Sequence, residues 1–333
     1  MRRRWRLAAT LALVAAAGSV RSSVPPVDPN LPSGVARIEI TAKPLEQPPG
    51  QLGALDYLGG YVLDADSPDF GGLSGLRTLP DGSILMVSDA AHWLWVKTKR
   101  AENGRILGLG AGLIAPILDA QGQKLSKKTG DSEALDVTEG HAWVAYEGDT
   151  RIERFDGPFT SDPATAMAAR PAERIALATL GPVPENGGPE AMTRLPGDGL
   201  LVISEEGKGP GGGASGLLRR PGQPDLRFGV LTSPDFKPTE IALLDANTVL
   251  LLTRRYIPLI GVSAELSRLD LGEVRPNAAI RPVVLARLEA PFPVDNMEGM
   301  TVEHIGGRTV ITLVSDDNFN PLQRTLLLQF AIK

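Results

Sequence analysis

The 333-residue chain contains no cysteine. That excludes thiolate metal centres, thiol nucleophiles and disulfide staples. It does not exclude export, because a core of this size needs no covalent cross-links. Aromatic residues make up only 5%, so the core must be mostly aliphatic. With three histidines, a histidine-rich zinc site has little to draw on. Basic charge is in the minority: 34 Lys plus Arg stand against 39 Asp plus Glu, for a net charge of −5. A nucleic-acid binder carries the opposite balance. Beyond the N-terminus no apolar run is long enough to span a bilayer. Glycine (37) and proline (28) are plentiful and favour a turn-dense fold over long helices. At 42% hydrophobic and 22% charged, the composition is that of a globular protein.

The chain opens MRRRWR and continues LAATLALVAAAGSV. A basic stretch, an apolar stretch and small residues, in that order, predict a secretory signal peptide over 1–19, cleaved near Ala17 to Ser19. The apolar run falls short of the roughly 20 residues of a membrane span; an uncleaved anchor is the alternative. Cleavage would remove four arginines and no acid, moving the charge from −5 to −9. Residues 20–34 read as a Pro-rich linker and 35–333 as one domain. The expected product is a periplasmic or secreted monomer with no stable membrane span.

Five segments repeat one pattern: 73–89, 132–148, 189–206, 239–255 and 297–317. Each begins near a Glu, or a Ser in the first copy, and continues through aliphatic residues to a Gly/Asn/Asp turn. An apolar run and a polar end follow. The anchors Ser74, Glu133, Glu190, Glu240 and Glu298 are spaced by 59, 57, 50 and 58 residues. Each copy predicts a β-hairpin. Third strands follow (93–99, 150–156, 216–220, 264–271, 325–332), and some copies have a fourth (106–112, 173–180, 282–288). Four strands at this spacing predict an all-β fold, a β-propeller of five repeats. Residues 54–70 would supply the outer strand of the last repeat and close the ring. A strand at 36–45 leaves material for a degenerate sixth blade. Residues 163–169 are the best helix candidate.

In a propeller the first strand of each blade lines the central channel, so the anchors should form a ring at one mouth. Counting outward from each turn places Glu190 opposite Glu205 and Ser74 opposite Asp89. Glu147, Arg254 and Asp316 fall at similar places. Carboxylates gathered this way repel one another. A divalent cation can neutralise them, Ca²⁺ or Mg²⁺ by the oxygen donors. Some can instead keep a proton and act as general acids. Arginines can also pair with them, Arg254, Arg255 and Arg324 being nearest, and a guanidinium also matches phosphate. A structural role tying blade edges together is the remaining reading. Metal candidates are therefore Glu190, Glu240, Glu298, Asp89, Glu147, Glu205, Asp316 and Asp317. Glu133 or Glu190 is the candidate base. Substrate candidates are Arg254, Arg255, Arg324, Asn318 and Lys208, the last in a Gly-rich loop (207–216) without Walker spacing. Gly72-Leu73-Ser74-Gly75-Leu76 is not a G-x-S-x-G elbow. His92 reads as a loop residue, while His141 and His304 fall near turns away from the mouth.

DFGGLSGL with Ser88-Asp89, the EAL and PEAM anchors, TEIALLD with LLTRRY, and NMEGM with SDDN together resemble the phytase-like family, described by an esterase-like activity of phytase. The resemblance spans roughly 50–333. It implies a propeller, export, and phosphoester hydrolysis by acidic residues matching Glu133, Glu190, Glu240, Glu298, Asp316, Asp317 and Asn318. A cation-dependent hydrolase of a small phosphoester, with calcium the expected cofactor, is the function implied. A non-catalytic propeller that binds a ligand or protein, and a lactone or carboxylic-ester hydrolase, are the rivals.

Overall fold

The computed structural model describes residues 28–46, 52–184 and 187–333. The expected signal peptide, and the linker as far as Val27, lie outside them. The regular structure of the described chain is almost entirely strand. β1 (Ala36–Pro44) and β2 (Leu55–Ala65) come first. Then follow β3 (Leu73–Thr78), β4 (Ile84–Ser88), β5 (His92–Arg100) and β6 (Ile106–Pro116). Helix α1 (Lys127–Gly130) precedes β7 (Ser132–Thr138), β8 (His141–Tyr146) and β9 (Arg151–Asp156). Helix α2 (Pro163–Met167) precedes β10 (Pro171–Ala176). The next group is β11 (Ala191–Leu195), β12 (Gly199–Lys208), β13 (Ala214–Arg219) and β14 (Leu226–Val230). After it come β15 (Lys237–Asp245), β16 (Thr248–Ile257), β17 (Gly261–Asp270), β18 (Ala279–Ile280) and β19 (Val283–Leu288). The last are β20 (Asn296–Ile305), β21 (Arg308–Asp316) and β22 (Thr325–Ile332).

Three sheets are ordered β10-β9-β8-β7, β11-β12-β13-β14-β18 and β15-β16-β17-β19. The fourth runs β20-β21-β22-β2-β1-β6-β5-β4-β3, in which β1 joins two antiparallel groups. The starting strands β3, β7, β11, β15 and β20 each touch the next, and β20 returns to β3. The sheets thus stand around an axis as in a β-propeller. Second strands such as β4 and β8 are buried almost end to end, because sheets pack on both of their faces. An aliphatic core fills each gap between neighbours. Leu135, Val144 and Trp93 share one such core, for example, and Leu252, Leu266 and Leu313 another.

The 54–70 segment does close the ring: β2 pairs antiparallel with β22, Leu63 opposite Thr325 and Leu55 opposite Ile332. The 36–45 strand begins no sheet of its own. β1 pairs with β2 on one side and β6 on the other, so it fastens the last group of strands to the first. Its alternating exposure suits a strand covered on one face only. The helix expected at 163–169 is α2, capped by the Asp162 side chain, which accepts from the Thr165 amide at 3.2 Å. Helix α1 and strand β14 were not expected; α1 is four residues long, too short for a periodic signal. Among the described residues, no helix is long and apolar enough to cross a membrane.

Candidate functional site

One end of the innermost strands is built by a recurring slip in the ladder. Ser74, Glu133, Thr239 and Glu298 are each an extra residue, between Leu73 and Gly75, Ser132 and Ala134, Pro238 and Glu240, and Met297 and Gly299. Such bulges re-aim a side chain. Glu190, just before β11, stands at the same level. Two residues earlier in each strand, Gly72, Asp131 and Gly188 accept from the amides of Asp89, Glu147 and Glu205 at 2.8, 2.9 and 3.0 Å. Lys237 and Asn296 pair with Arg254 and Asp316 in the same way. The mouth therefore has three tiers: the bulged residues, the residues two before them, and the ends of the second strands.

This register corrects two expectations. Glu190 is not opposite Glu205, nor Ser74 opposite Asp89; the bulge displaces each pairing to Gly188 and Gly72. The fourth anchor is also displaced by one. Thr239, not Glu240, occupies the bulge, and the Thr239 hydroxyl donates to the Met297 carbonyl at 3.0 Å. The Ser74 hydroxyl donates to the Ser132 carbonyl at 2.5 Å in the equivalent way. Glu240 instead falls where the other strands have Gly75, Ala134, Ala191 and Gly299. Those small residues leave room on the axis for one long side chain.

That side chain is Arg77. Its guanidinium meets Asp136 Oδ1 at 2.9 Å and Glu240 Oε2 at 3.0 Å. It also donates to the carbonyls of Leu76, Met192, Ile241 and Met300 at 2.6 to 3.0 Å. Four innermost strands thus converge on one planar donor, and the channel is closed below the mouth. Burial pushes the Glu240 carboxyl up to about 8 against the opposing pull of Arg77.

Above this floor the charges are sorted. On one side, carboxylate oxygens of Asp131, Glu133 and Glu147 lie within 4.8 Å of one another. Glu147 accepts from the Gly188 amide at 3.2 Å. Lys127, delivered by α1, bridges Asp89 at 2.5 Å and Asp131 at 3.3 Å. On the other side, Arg254 meets Glu205 at 3.1 Å and Glu298 at 3.3 Å. Lys237 stands 3.7 Å from Glu205 and pairs with Glu206. Glu133, Glu190 and Glu298 are only 9%, 7% and 7% exposed. Burial, then the neighbouring carboxylates, push Glu133 and Glu190 well above the usual range. Burial and Asp316 raise Glu298 to about 8, and burial raises Asp316 to about 7. Asp89, Glu147 and Glu205 are also raised, chiefly by burial. Asp89 Oδ1 is buried with no hydrogen-bond partner among the described residues.

Of the residues singled out in the sequence, the structure brings together Asp89, Glu133, Glu147, Glu190, Glu205, Arg254, Glu298 and Asp316. Asp317 is at the rim and accepts from the Gly72 amide at 3.0 Å. Asn318 donates its own amide to Asp316 at 2.6 Å. Arg324 is at the rim, 3.7 Å from Asp295. Glu240 is below the mouth. Arg255 stacks over the Phe236 ring at 4.6 Å, because alternation along β16 turns it away from Arg254. Lys208 is exposed, and its carbonyl accepts from Arg227 at 2.6 Å; no ion pair joins it to the mouth among the described residues. His92 opens β5 rather than lying in a loop, 3.9 Å from Asp69. His141 and His304 lie at the opposite, turn end. Asp131, Lys127, Lys237 and Asn296 were missed. Three of them sit two residues before a bulge, a recurrence visible once the fourth repeat is shifted by one; Asn296 donates to Glu298 at 2.6 Å.

The phytase-like family model, described as esterase-like activity of phytase, matches residues 68–319. The chain belongs to that family. Curated proteins offer no match. Among solved structures, the PQQ-bound aldose sugar dehydrogenase of Streptomyces coelicolor is similar at 15% identity and a TM-score of 0.44, over 89% of this chain and 99% of that one. A thermostable family-43 glycoside hydrolase is similar at 6% identity and a TM-score of 0.45, over 79% and 90%. Myxococcus xanthus glutaminyl cyclase gives 10% and 0.42, over 79% and 92%.

Proposed function

We propose that the chain is an exported, five-bladed phosphoester hydrolase that works with a divalent cation. The observation that carries this reading is the sorted mouth: an acidic side of Asp131, Glu133 and Glu147 facing Arg254 and Lys237. Residues of that kind fit a hard cation, since every donor is oxygen and no amide or basic group satisfies Glu133 among the described residues. Calcium is favoured by the number of carboxylates. The cation would supply charge neutralisation and Lewis acidity toward a phosphoryl oxygen.

The chain's own residues do the rest. Arg254 orients the phosphate, because its planar fork matches two phosphate oxygens, and Lys237 adds charge beside it. Glu190 lies between the two sides and takes the proton from the attacking water. The water oxygen bonds to phosphorus, the ester P–O bond breaks, and the departing alkoxide collects a proton from solvent. Burial and neighbouring carboxylates raise the proton affinity of Glu190, which suits a base once nearby positive charge has removed its first proton. Arg324 and Asn318 border the entrance, and Asp89, Glu205, Glu298 and Asp316 complete its acidic wall.

The deciding experiment is a panel of phosphomonoesters, phosphodiesters, lactones and carboxylic esters, assayed with Ca²⁺, Mg²⁺ or chelator. Cation-dependent release of phosphate is the expected result. Cation or ligand binding without turnover of any ester would replace this reading with a binding propeller. Intact mass of the protein from its host tests export: a retained MRRRWR terminus would refute it.

A further inference from the structure

Two loops over the mouth carry exposed apolar side chains. β16 passes Arg254 and continues with β17 as a two-stranded arm, whose last pair is Ile257 and Gly261. Three residues at about 3.3 Å each lift its tip roughly 10 Å above Arg254. Tyr256, Leu259 and Ile260 are exposed there. Leu259 is held at a φ of 70°, a left-handed conformation that glycine or asparagine adopts at less cost. A large apolar residue is thus displayed at a position where turn geometry alone would favour a small one. The loop 317–324 joins β21 to β22 in the neighbouring sheet and exposes Phe319 and Leu322. The loops leave the strand ends that carry Arg254 and Asp316, so both stand over the same face.

We propose that these loops seat the mouth on a lipid–water interface of zwitterionic phospholipid; this deepens the phosphoester reading and rests on it, since the interface would present the ester bond to the mouth. The apolar residues sit on two loops from neighbouring sheets, with Arg255 just before Tyr256 and Arg324 at the end of the second loop. Side chains arranged this way enter the headgroup region while the cations stay among phosphates. The mouth's surplus of carboxylates would be repelled by an anionic surface, so a zwitterionic one is the fitting occupant.

The test is co-sedimentation of the full-length mature protein with phosphatidylcholine vesicles, in parallel with hydrolysis of a water-soluble phosphoester. Leu259→Asp/Ile260→Asp and Phe319→Ser/Leu322→Ser are the variants. We expect wild type to partition to the vesicles and each double variant to do so at least about tenfold less, with hydrolysis of the soluble ester unchanged. No partitioning of wild type, or equal partitioning of the variants, would overturn the proposal. So would concentration-dependent self-association that the variants abolish while vesicles bind nothing, since the tips would then be a protein contact. Vesicle binding that depends on the tips, without turnover of any ester, would uphold the docking and remove the hydrolytic reading alone.

Discussion

Replacing Arg77 with methionine keeps much of the side-chain volume and removes the charge on the axis. Arg77 holds Asp136 and Glu240 at 2.9 and 3.0 Å and serves four strand carbonyls. Asp136 would keep three donors, the Thr193 hydroxyl at 3.1 Å and the amides of Arg194 and Val137 at 2.5 and 2.8 Å. Glu240 would keep only the Ile241 amide at 2.9 Å. Breaking a buried pair from one side costs about 3–5 kcal/mol, and the stranded carbonyls push toward the upper end. Against a total stability of about 5–15 kcal/mol, that lowers Tm by about 5–8 °C for a chain of this size. Because Glu240 already holds its proton up to about 8, it can stay neutral in acid. The loss should therefore be smaller at pH 5 than at pH 9, and Glu240→Gln in the Arg77→Met background should recover part of it at pH 9. Urea unfolding of the four combinations, at both pH values, measures this. A loss below about 1 kcal/mol at pH 9 for Arg77→Met would show that the axis does not depend on this arginine.

Glu133→Gln should abolish the rise in Tm produced by Ca²⁺ and lower cation-dependent turnover at least about 100-fold, leaving the cation-free fold intact or firmer because one repelling charge is gone; titration calorimetry and a melting curve check both. Glu298 and Asp316 titrate in the folded protein at about 8 and about 7, above their unfolded values, so folding takes up protons. Their contribution is fully present below about pH 4 and is lost as pH rises through 7 to 8, by about 1.4 kcal/mol per pH unit for each carboxylate. Cation-free Tm should therefore fall between pH 5 and 8.5, and calcium should restore more at the upper end, where the ligands are deprotonated; a cation-free Tm that rises over that interval would contradict the assignment. Deleting residues 326–333 removes the strand that pairs with β2 and should abolish cooperative unfolding by circular dichroism, whereas a truncated protein that melts like the full chain would refute closure through that strand.

The ring was legible because each hairpin announces itself twice, by a turn and by an apolar run buried on both faces. The acidic mouth was legible because Glu133, Glu190 and Glu298 recur at matching places. What escaped detection was a single-residue matter. In the fourth repeat Thr239 and Glu240 are neighbours, and the carboxylate attracted the alignment although the hydroxyl holds the equivalent place. A bulge adds a residue without leaving a mark in composition, so counting from the turn misplaced every partner across the slip. Arg77 carried no sequence signal, since its meaning lies in Asp136, Glu240 and three carbonyls drawn from distant parts of the chain. Lys127 reached the mouth on a helix of four residues, below the length at which periodicity speaks.

The pairing of β2 with β22 also sets a clock on synthesis. Leu63 waits for Thr325, a partner that emerges from the ribosome about 260 residues later. Until then β2 offers an open edge, and the gap between the first and last sheets stands unfilled. Contacts this distant in sequence form slowly, after many local hairpins have already settled. The nascent protein is therefore a string of formed hairpins with a sticky margin through most of its translation. A stop ahead of β22, even one that spares every residue of the mouth, yields a chain that never shuts.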